Sequence, residues 1–346
     1  MAYIEKRGDM QWRAQVRKKG YPTQSRTFIT RADAERWAKE TEIAMERAIF
    51  VDHAEAETTT FADLVRKFRE EFAPEHYRAK GWQHKLKPLE AQFGRYALTA
   101  ITPRSVAEYR DARLKAPDPR YKDPETAPRV SGPTVKTELD LLSKIFDVAE
   151  KEFSIALPHG NPVGKVRKPR DSAGREVRIL PGSDEEKRLI AACTADRCPQ
   201  LLPAFRLAVE TAMRQGELMG LCWEDVNLDR RVAILHQTKN GESRGVPLSS
   251  TAIATLKELK GDKTTGRVLD GIGHATTLQQ AFARACEVAG IKGLTWHGLR
   301  HEALSRLGER GDLSVLELAA VSGHKTLQML KRYTHLQASK LAEKLG

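Results

Sequence analysis

Between Leu294 and His335 the chain is punctuated so closely by helix start and stop signals that it has to fold as short helices joined by tight turns. Thr295 has the side chain of a helix N-cap, Ser314 and Glu317 have capping-box spacing, and Gly323 is placed to end the helix they begin. The Thr295 helix carries His297, Arg300 and His301, and His324 follows the Gly323 stop directly. Tyr333 is expected on a third short helix. His297 and Arg300 are three apart and share a helical face, which sets an imidazole beside a permanently charged guanidinium. That pair suits a phosphodiester.

The bulk properties agree with a polyanionic partner. The 346 residues, enough for two or three domains, are 40% hydrophobic and 30% charged, as in soluble globular proteins. A formal net charge of +12 favours nucleic acid, because clustered Lys and Arg release counterions on meeting phosphates; basicity alone also fits an RNA or an anionic membrane surface. No apolar run is long enough to span a bilayer, and Met1 to Arg7 lacks a signal-peptide core, so a cytoplasmic protein is expected. Cys193, Cys198, Cys222 and Cys286 form no Cys-x-x-Cys pair, which argues against a disulfide scaffold or a zinc finger. His297 and His301 have the spacing of a zinc-binding helix, but Gly298 stands where a metalloprotease needs Glu, so no metal is expected.

Upstream, the pattern changes period. Met10 to Arg17 alternates apolar and polar residues, as the middle strand of a small sheet does, and Thr23 to Ile29 reads as the third strand. Thr30 then opens a helix to about Phe50, with Ala34, Trp37, Ala38 and Ala44 near its packing face. Arg13, Arg17, Lys18, Lys19 and Arg26 are expected on or beside the exposed face, where they either enter a DNA groove or form an ordinary solvated surface. Glu55 to Thr60 reads as a linker. Thr60 and Asp63 start a helix with Phe61, Leu64, Val65, Phe68 and Phe72 in one stripe. Helices follow at about 80–93, at 103–115 behind Thr102 and Pro103, and at 134–152; the proline-rich 116–133 is a loop. Gly164 to Pro181 holds Lys165, Arg167, Lys168, Arg170, Arg175 and Arg178 against Asp171 and Glu176, and reads as a flexible basic linker. Beyond it, helices and a hairpin at 232–248, turning at Asn240-Gly241, complete the chain.

The order His-x-x-Arg, Gly-His, then Tyr nine residues after that His resembles the carboxyl-terminal half of the tyrosine recombinases, the phage integrase family. The segment Thr211-Ala-Met-Arg214-Gln-Gly-Glu217-Leu218 is similar to the first arginine box of that family, and Gln237 to Leu248 to its lysine-bearing hairpin. The resemblance implies a mainly α fold with small β elements (α+β): an arm-type DNA-binding domain at 1–56, a helical, SAM-like core-binding domain at 57–163, the basic linker at 164–181, where Lys165, Arg167, Lys168 and Arg170 are expected to meet DNA, and a catalytic domain at 182–346.

It also implies chemistry. Tyr333 would attack the phosphorus, His297 would accept its proton, Arg214 and Arg300 would fork onto phosphate oxygens in place of a divalent metal, and Lys239 would protonate the 5′ oxygen. His324 would bond the phosphate, Glu217 would orient Arg214 or a histidine, and His301 would support the site or merely pack in the helix. No cofactor is expected. The partners would be double-stranded DNA, four protomers holding two duplexes, and DNA-bending accessory proteins in a bacterial nucleoid; Leu336, Leu341 and Leu345 offer an apolar edge for packing on a neighbour or on the same subunit. The task would be integration, excision or inversion of a mobile element. Two alternatives keep part of the pattern: a catalytically silent DNA-binding regulator, and a type IB topoisomerase that nicks and reseals one duplex.

Overall fold

The amino-terminal alternation builds a three-stranded antiparallel sheet, β1 (Ala2–Gly8), β2 (Gln11–Val16) and β3 (Gln24–Phe28), with β2 in the middle. Thr30 caps α1 (Arg31–Glu46) by accepting from the Asp33 amide, and α1 buries Ala34, Ala38 and Met45 over Ala14 and Val16. The helix stops at Glu46, short of Phe50, because Ala48 takes a left-handed φ of 55° and the chain turns. Phe50 then meets Tyr21 edge-on at 6.0 Å. The register corrects one expectation. Arg26 lies opposite Ala14, and opposed residues point to the same side of a sheet, so Arg26 lies on the α1 side and not on the open face with Arg13. Its guanidinium pairs with Glu57 at 3.2 Å.

This computed structural model describes residues 2–170, 177–236, 243–324, 326–330 and 333, and the chain divides into two compact units, Met1–Ala173 and Gly174–Gly346. The sheet and α1 share the first unit with a helical bundle that has its own core: α2 (Ala54–Thr58), α3 (Phe61–Lys67), a π-helical turn (Phe68–Phe72), α4 (Ala73–His76), α5 (Trp82–Phe93), α6 (Pro103–Lys115) and α7 (Gly132–Lys151). α2 occupies the stretch read as a linker. Its polar sequence hid Ala56, which is fully buried in the bundle. The expected stripe of Phe61, Leu64, Val65, Phe68 and Phe72 faces this core, where Phe61 packs on Phe93 and Phe146 at 6.1 Å each. Glu138 is buried there between the Tyr109 hydroxyl, which donates at 2.7 Å, and the Arg113 guanidinium.

The second unit comprises α8 (Asp184–Ala195), α9 (Leu201–Thr211), α10 (Gln215–Met219), the antiparallel strands β4 (Val226–Asn227), β5 (Val232–Leu235) and β6 (Arg244–Pro247), then α11 (Ser250–Lys260), α12 (Ala275–Val288), α13 (Trp296–Arg310), α14 (Val315–Ser322) and α15 (Leu327–Leu330). α9 is apolar nearly all round and sits in the core, with Phe205 against Phe282 and Phe282 against Trp296. The Asn240-Gly241 turn and the tail with Leu336, Leu341 and Leu345 lie outside the described residues. No helix among the described residues is long and apolar enough to cross a membrane.

The carboxyl-terminal part of the expected basic linker is built into this unit. Ile179 is buried, and Arg178 pairs with Glu302 of α13 at 2.6 Å and with Glu309 at 2.8 Å, so it is no free linker charge. Glu302 is 1% exposed and also takes Arg306 at 2.8 Å and the Ile179 amide at 3.2 Å. One carboxylate thus clamps the start of the unit onto the helix that carries His297, Arg300 and His301. Removing one partner of a buried ion pair leaves the others uncompensated, so Glu302→Ala is expected to cost roughly 3–5 kcal/mol in denaturant unfolding of the full chain; a cost within about 0.5 kcal/mol would show that the clamp is dispensable.

Candidate active site

α9 ends at Ala212, a fully buried residue with a left-handed φ of 52°, an uncommon conformation for alanine that reverses the chain direction. The reversal sets Arg214 at the N-cap of α10, and Glu217 reaches back to accept from the Arg214 amide at 2.8 Å. Glu217 also accepts from the Arg214 guanidinium at 2.6 Å, and so orients it. The second Nη of Arg214 donates to the Gly323 carbonyl at 3.3 Å.

Thr295 caps α13 as its spacing predicts, and the next turn carries the charged group of the site. Arg300 is 5% exposed and donates one Nη to the Ala212 carbonyl and the other to the Ser322 carbonyl, each at 2.5 Å. Burial, reinforced by the nearby Arg214 charge, brings its pKa down to about 10, so it is still a cation at neutral pH. The rings of His297 and His301 meet edge to face at 4.9 Å. Burial lowers the His297 pKa, and Arg300 and Arg214 add to the effect.

Ser314 and Glu317 form the expected capping box on α14, and Gly323 ends the helix with a φ of 65°. His324 follows, with Nδ1 on the Ser322 hydroxyl at 2.8 Å. Burial, then the charges of Arg300 and Arg214, hold the pKa of His324 down at about 4. Both His297 and His324 are therefore neutral at pH 7.

Tyr333 lies in a turn beyond α15, not on a helix. It is 3% exposed and packs with Ala212, Ala303, Leu304, Leu318 and Leu330. Its hydroxyl is hydrogen-bonded to Nδ1 of His301, and the His324 ring centre is 6.5 Å from its own. The imidazole on the phenol is therefore that of His301, not His297. Gly308 permits the approach of this turn, because a Cβ there would overlap the Tyr333 carbonyl oxygen.

Arg214, Glu217, His297, Arg300, His301, His324 and Tyr333 thus belong to one cluster, whereas Lys239 lies outside the described residues. Arg244 of β6 joins the cluster, and the sequence reading did not single it out: it forks onto Glu217 at 2.8 and 2.9 Å. Burial alone would raise the Glu217 pKa, but bonds from Arg244 and Arg214 outweigh it and hold the carboxyl at about 2. Among the described residues no group of three His, Cys, Asp or Glu is placed to hold a metal ion. What the arrangement offers is a phenol against an imidazole, beside guanidiniums whose charge, among the described residues, the carboxylate of Glu217 offsets.

The other basic residues expected to meet DNA belong to the first unit. Arg13 bonds the Ser25 hydroxyl at 2.8 Å, Lys18 lies over the Tyr21 ring, Lys168 pairs with Asp140 at 2.7 Å, and Arg17, Lys19, Lys165, Arg167 and Arg170 are exposed.

Residues 182–340 match the phage integrase family. The chain is 44% identical over 245 residues to a shufflon-specific DNA recombinase of Escherichia coli, an alignment covering 71% of this chain and 60% of that protein's length. It is 32% identical over 348 residues to a Haemophilus influenzae protein named "Putative integrase/recombinase", covering 96% and 86% of the two chains. The fold is similar to that of lambda integrase in a dimer bound to a COC′ core site, with a TM-score of 0.64 and 19% identity over 96% of this chain and 94% of that one. It is also similar to lambda integrase in a tetramer bound to a Holliday junction, with a TM-score of 0.61 and 20% identity over 93% and 95%. The span of the Haemophilus alignment, together with the family match over the carboxyl-terminal half, places this chain in the phage integrase family of tyrosine recombinases.

Proposed function

We propose that the chain cuts and rejoins duplex DNA at specific sites through a 3′-phosphotyrosine link, and that its task is the inversion of a DNA segment. The observation that carries the chemistry is the Tyr333 hydroxyl on His301 within the cluster that holds Arg300. The kinship with a shufflon-specific recombinase supports inversion over insertion. The lambda integrase tetramer on a Holliday junction supports an assembly of four protomers on two duplexes.

In this reading the Tyr333 oxygen attacks the scissile phosphorus and its proton passes to His301. Arg214 and Arg300 neutralise the non-bridging oxygens, and His324, a neutral imidazole, donates a hydrogen bond to one of them. The bond from phosphorus to the 5′ oxygen breaks, and that oxygen takes a proton from Lys239. One phosphodiester replaces another, so the 5′ hydroxyl of a second strand can reverse the step without ATP. Because Tyr333 is nearly covered, the turn that carries it has to open before a phosphate can reach its hydroxyl. Lys165, Arg167, Lys168, Arg170, Arg13, Arg17, Lys18 and Lys19 would hold the backbone along the duplex; Arg26, turned to the α1 side, is the weakest member of that set.

A nicked suicide duplex bearing the chain's core sequence, mapped by footprinting the DNA beside its coding region, tests the reaction. With EDTA present, the wild type is expected to form a covalent adduct and Tyr333→Phe none. An adduct in both, or in neither, defeats the reading; no adduct in either would leave a silent regulator. Joining of the bound strand to a second duplex separates a recombinase from a topoisomerase.

The histidines give a pH test. His324 titrates lower in the folded chain than an ordinary imidazole, so protons favour the unfolded state. Its contribution to stability is complete above about 6.5 and is lost as pH falls toward about 4. Urea unfolding at stepped pH is expected to show His324→Asn losing less stability than wild type across that window. Identical slopes would place His324 outside the cationic field.

A further inference from the structure

Arg244 is the group by which β6 reaches the cluster. Its Nη1 and Nη2 donate to the two oxygens of Glu217 at 2.8 and 2.9 Å, and its Nε reaches the Val321 carbonyl at 3.4 Å. Arg214 uses the same two oxygens: its Nη1 donates to Oε1 at 2.6 Å and its amide to Oε2 at 2.8 Å. A carboxylate accepts about four hydrogen bonds, and these two residues supply four. Glu217 is therefore saturated, and Arg214 cannot close a two-pronged pair with it. The exposures match this division of labour: the Arg214 side chain is 24% exposed, against 11% for Arg244 and 9% for Glu217. Arg244 also fills the space beneath the turn that leads to His324, since a Cβ at Gly323 would come within 3.0 Å of its guanidinium.

We propose that Arg244 is a positioning residue for phosphoryl transfer: by occupying both oxygens of Glu217 it limits the Arg214 guanidinium to one contact with that carboxylate, so that its second Nη, held only by the long 3.3 Å bond to the Gly323 carbonyl, can turn to a non-bridging phosphate oxygen. The proposal rests on the reading above, in which Arg214 meets the scissile phosphate. Without Arg244, the paired geometry preferred by arginine and carboxylate draws Arg214 onto Glu217 and away from the substrate. The Gly323 turn loses its support at the same time.

The test uses the full chain on the footprinted suicide duplex in two forms, one with a phosphodiester and one with a methylphosphonate at the scissile position. The methylphosphonate replaces one charged non-bridging oxygen by a neutral methyl, which leaves less charge for Arg214 to neutralise. On the phosphodiester, Arg244→Gln is expected to form the Tyr333 adduct about a hundredfold more slowly than wild type, as a displaced positioning group does, with unchanged duplex binding. On the methylphosphonate the gap is expected to shrink to within about tenfold. Arg244→Lys, which keeps the charge but not the fork, is expected to fall between. The proposal is overturned if Arg244→Gln matches the wild type, if its deficit is the same on both substrates, or if neither variant shows the cooperative unfolding of the wild type, which would make the role purely structural. Absence of a wild-type adduct is the separate failure of the recombinase reading, and the Arg244 proposal falls with it.

Discussion

Three guanidiniums from three elements converge on the last carbonyls of one short helix. Arg244 reaches Val321, Arg300 reaches Ser322 and Arg214 reaches Gly323, at the carboxyl end of α14. A helix leaves its final carbonyls without partners inside the helix, and the aligned peptide dipoles make that end negative, so cations are stabilised there. The contacts tie the first arginine box, the hairpin and the His-x-x-Arg helix to the segment that leads to His324 and Tyr333. They also hold three like charges close together, offset among the described residues by the carboxylate of Glu217. The unbalanced positive charge is gathered in one place before any substrate arrives. Burial, with the same field added to it, keeps the neighbouring imidazoles of His297 and His324 neutral, able to accept a proton or donate a hydrogen bond to an oxygen.

The site depends on packing well outside it. Glu302 directly follows His301 and clamps α13 to Arg178 and Ile179, so the orientation of the helix that carries His297, Arg300 and His301 is set near the start of the second unit. Ala212 holds a strained backbone so that its carbonyl meets Arg300 and the next residues can cap α10. Gly308 gives up a side chain so that the Tyr333 turn can pass close to α13. Each device is local, and each sets where a reactive atom lies.

What the sequence made legible was the chemistry that local spacing encodes. The capping residues Thr30, Thr60, Thr102, Thr295 and Ser314 all act as N-caps, because a cap and its amide are two or three residues apart. Partners distant in the chain were not legible. Arg244 stands 27 residues from Glu217, and Arg178 stands 124 from Glu302. No periodicity marks either pair, so one went unnoticed and the other read as linker charge. Arg26 is exposed, but the side of the sheet it takes depends on register with Ala14, which its own strand does not reveal. His297 and His301 share a face, and only the path of the chain from Gly323 to Tyr333 decides which of them meets the phenol.

The most direct measurement is an experimental structure of Tyr333→Phe on an intact duplex containing its core site. A scissile phosphate within hydrogen-bond distance of Arg214 and Arg300, with Arg244 still forked on Glu217, is the expected result. A phosphate bound elsewhere, with both guanidiniums still turned to the α14 carbonyls, would contradict the assignment.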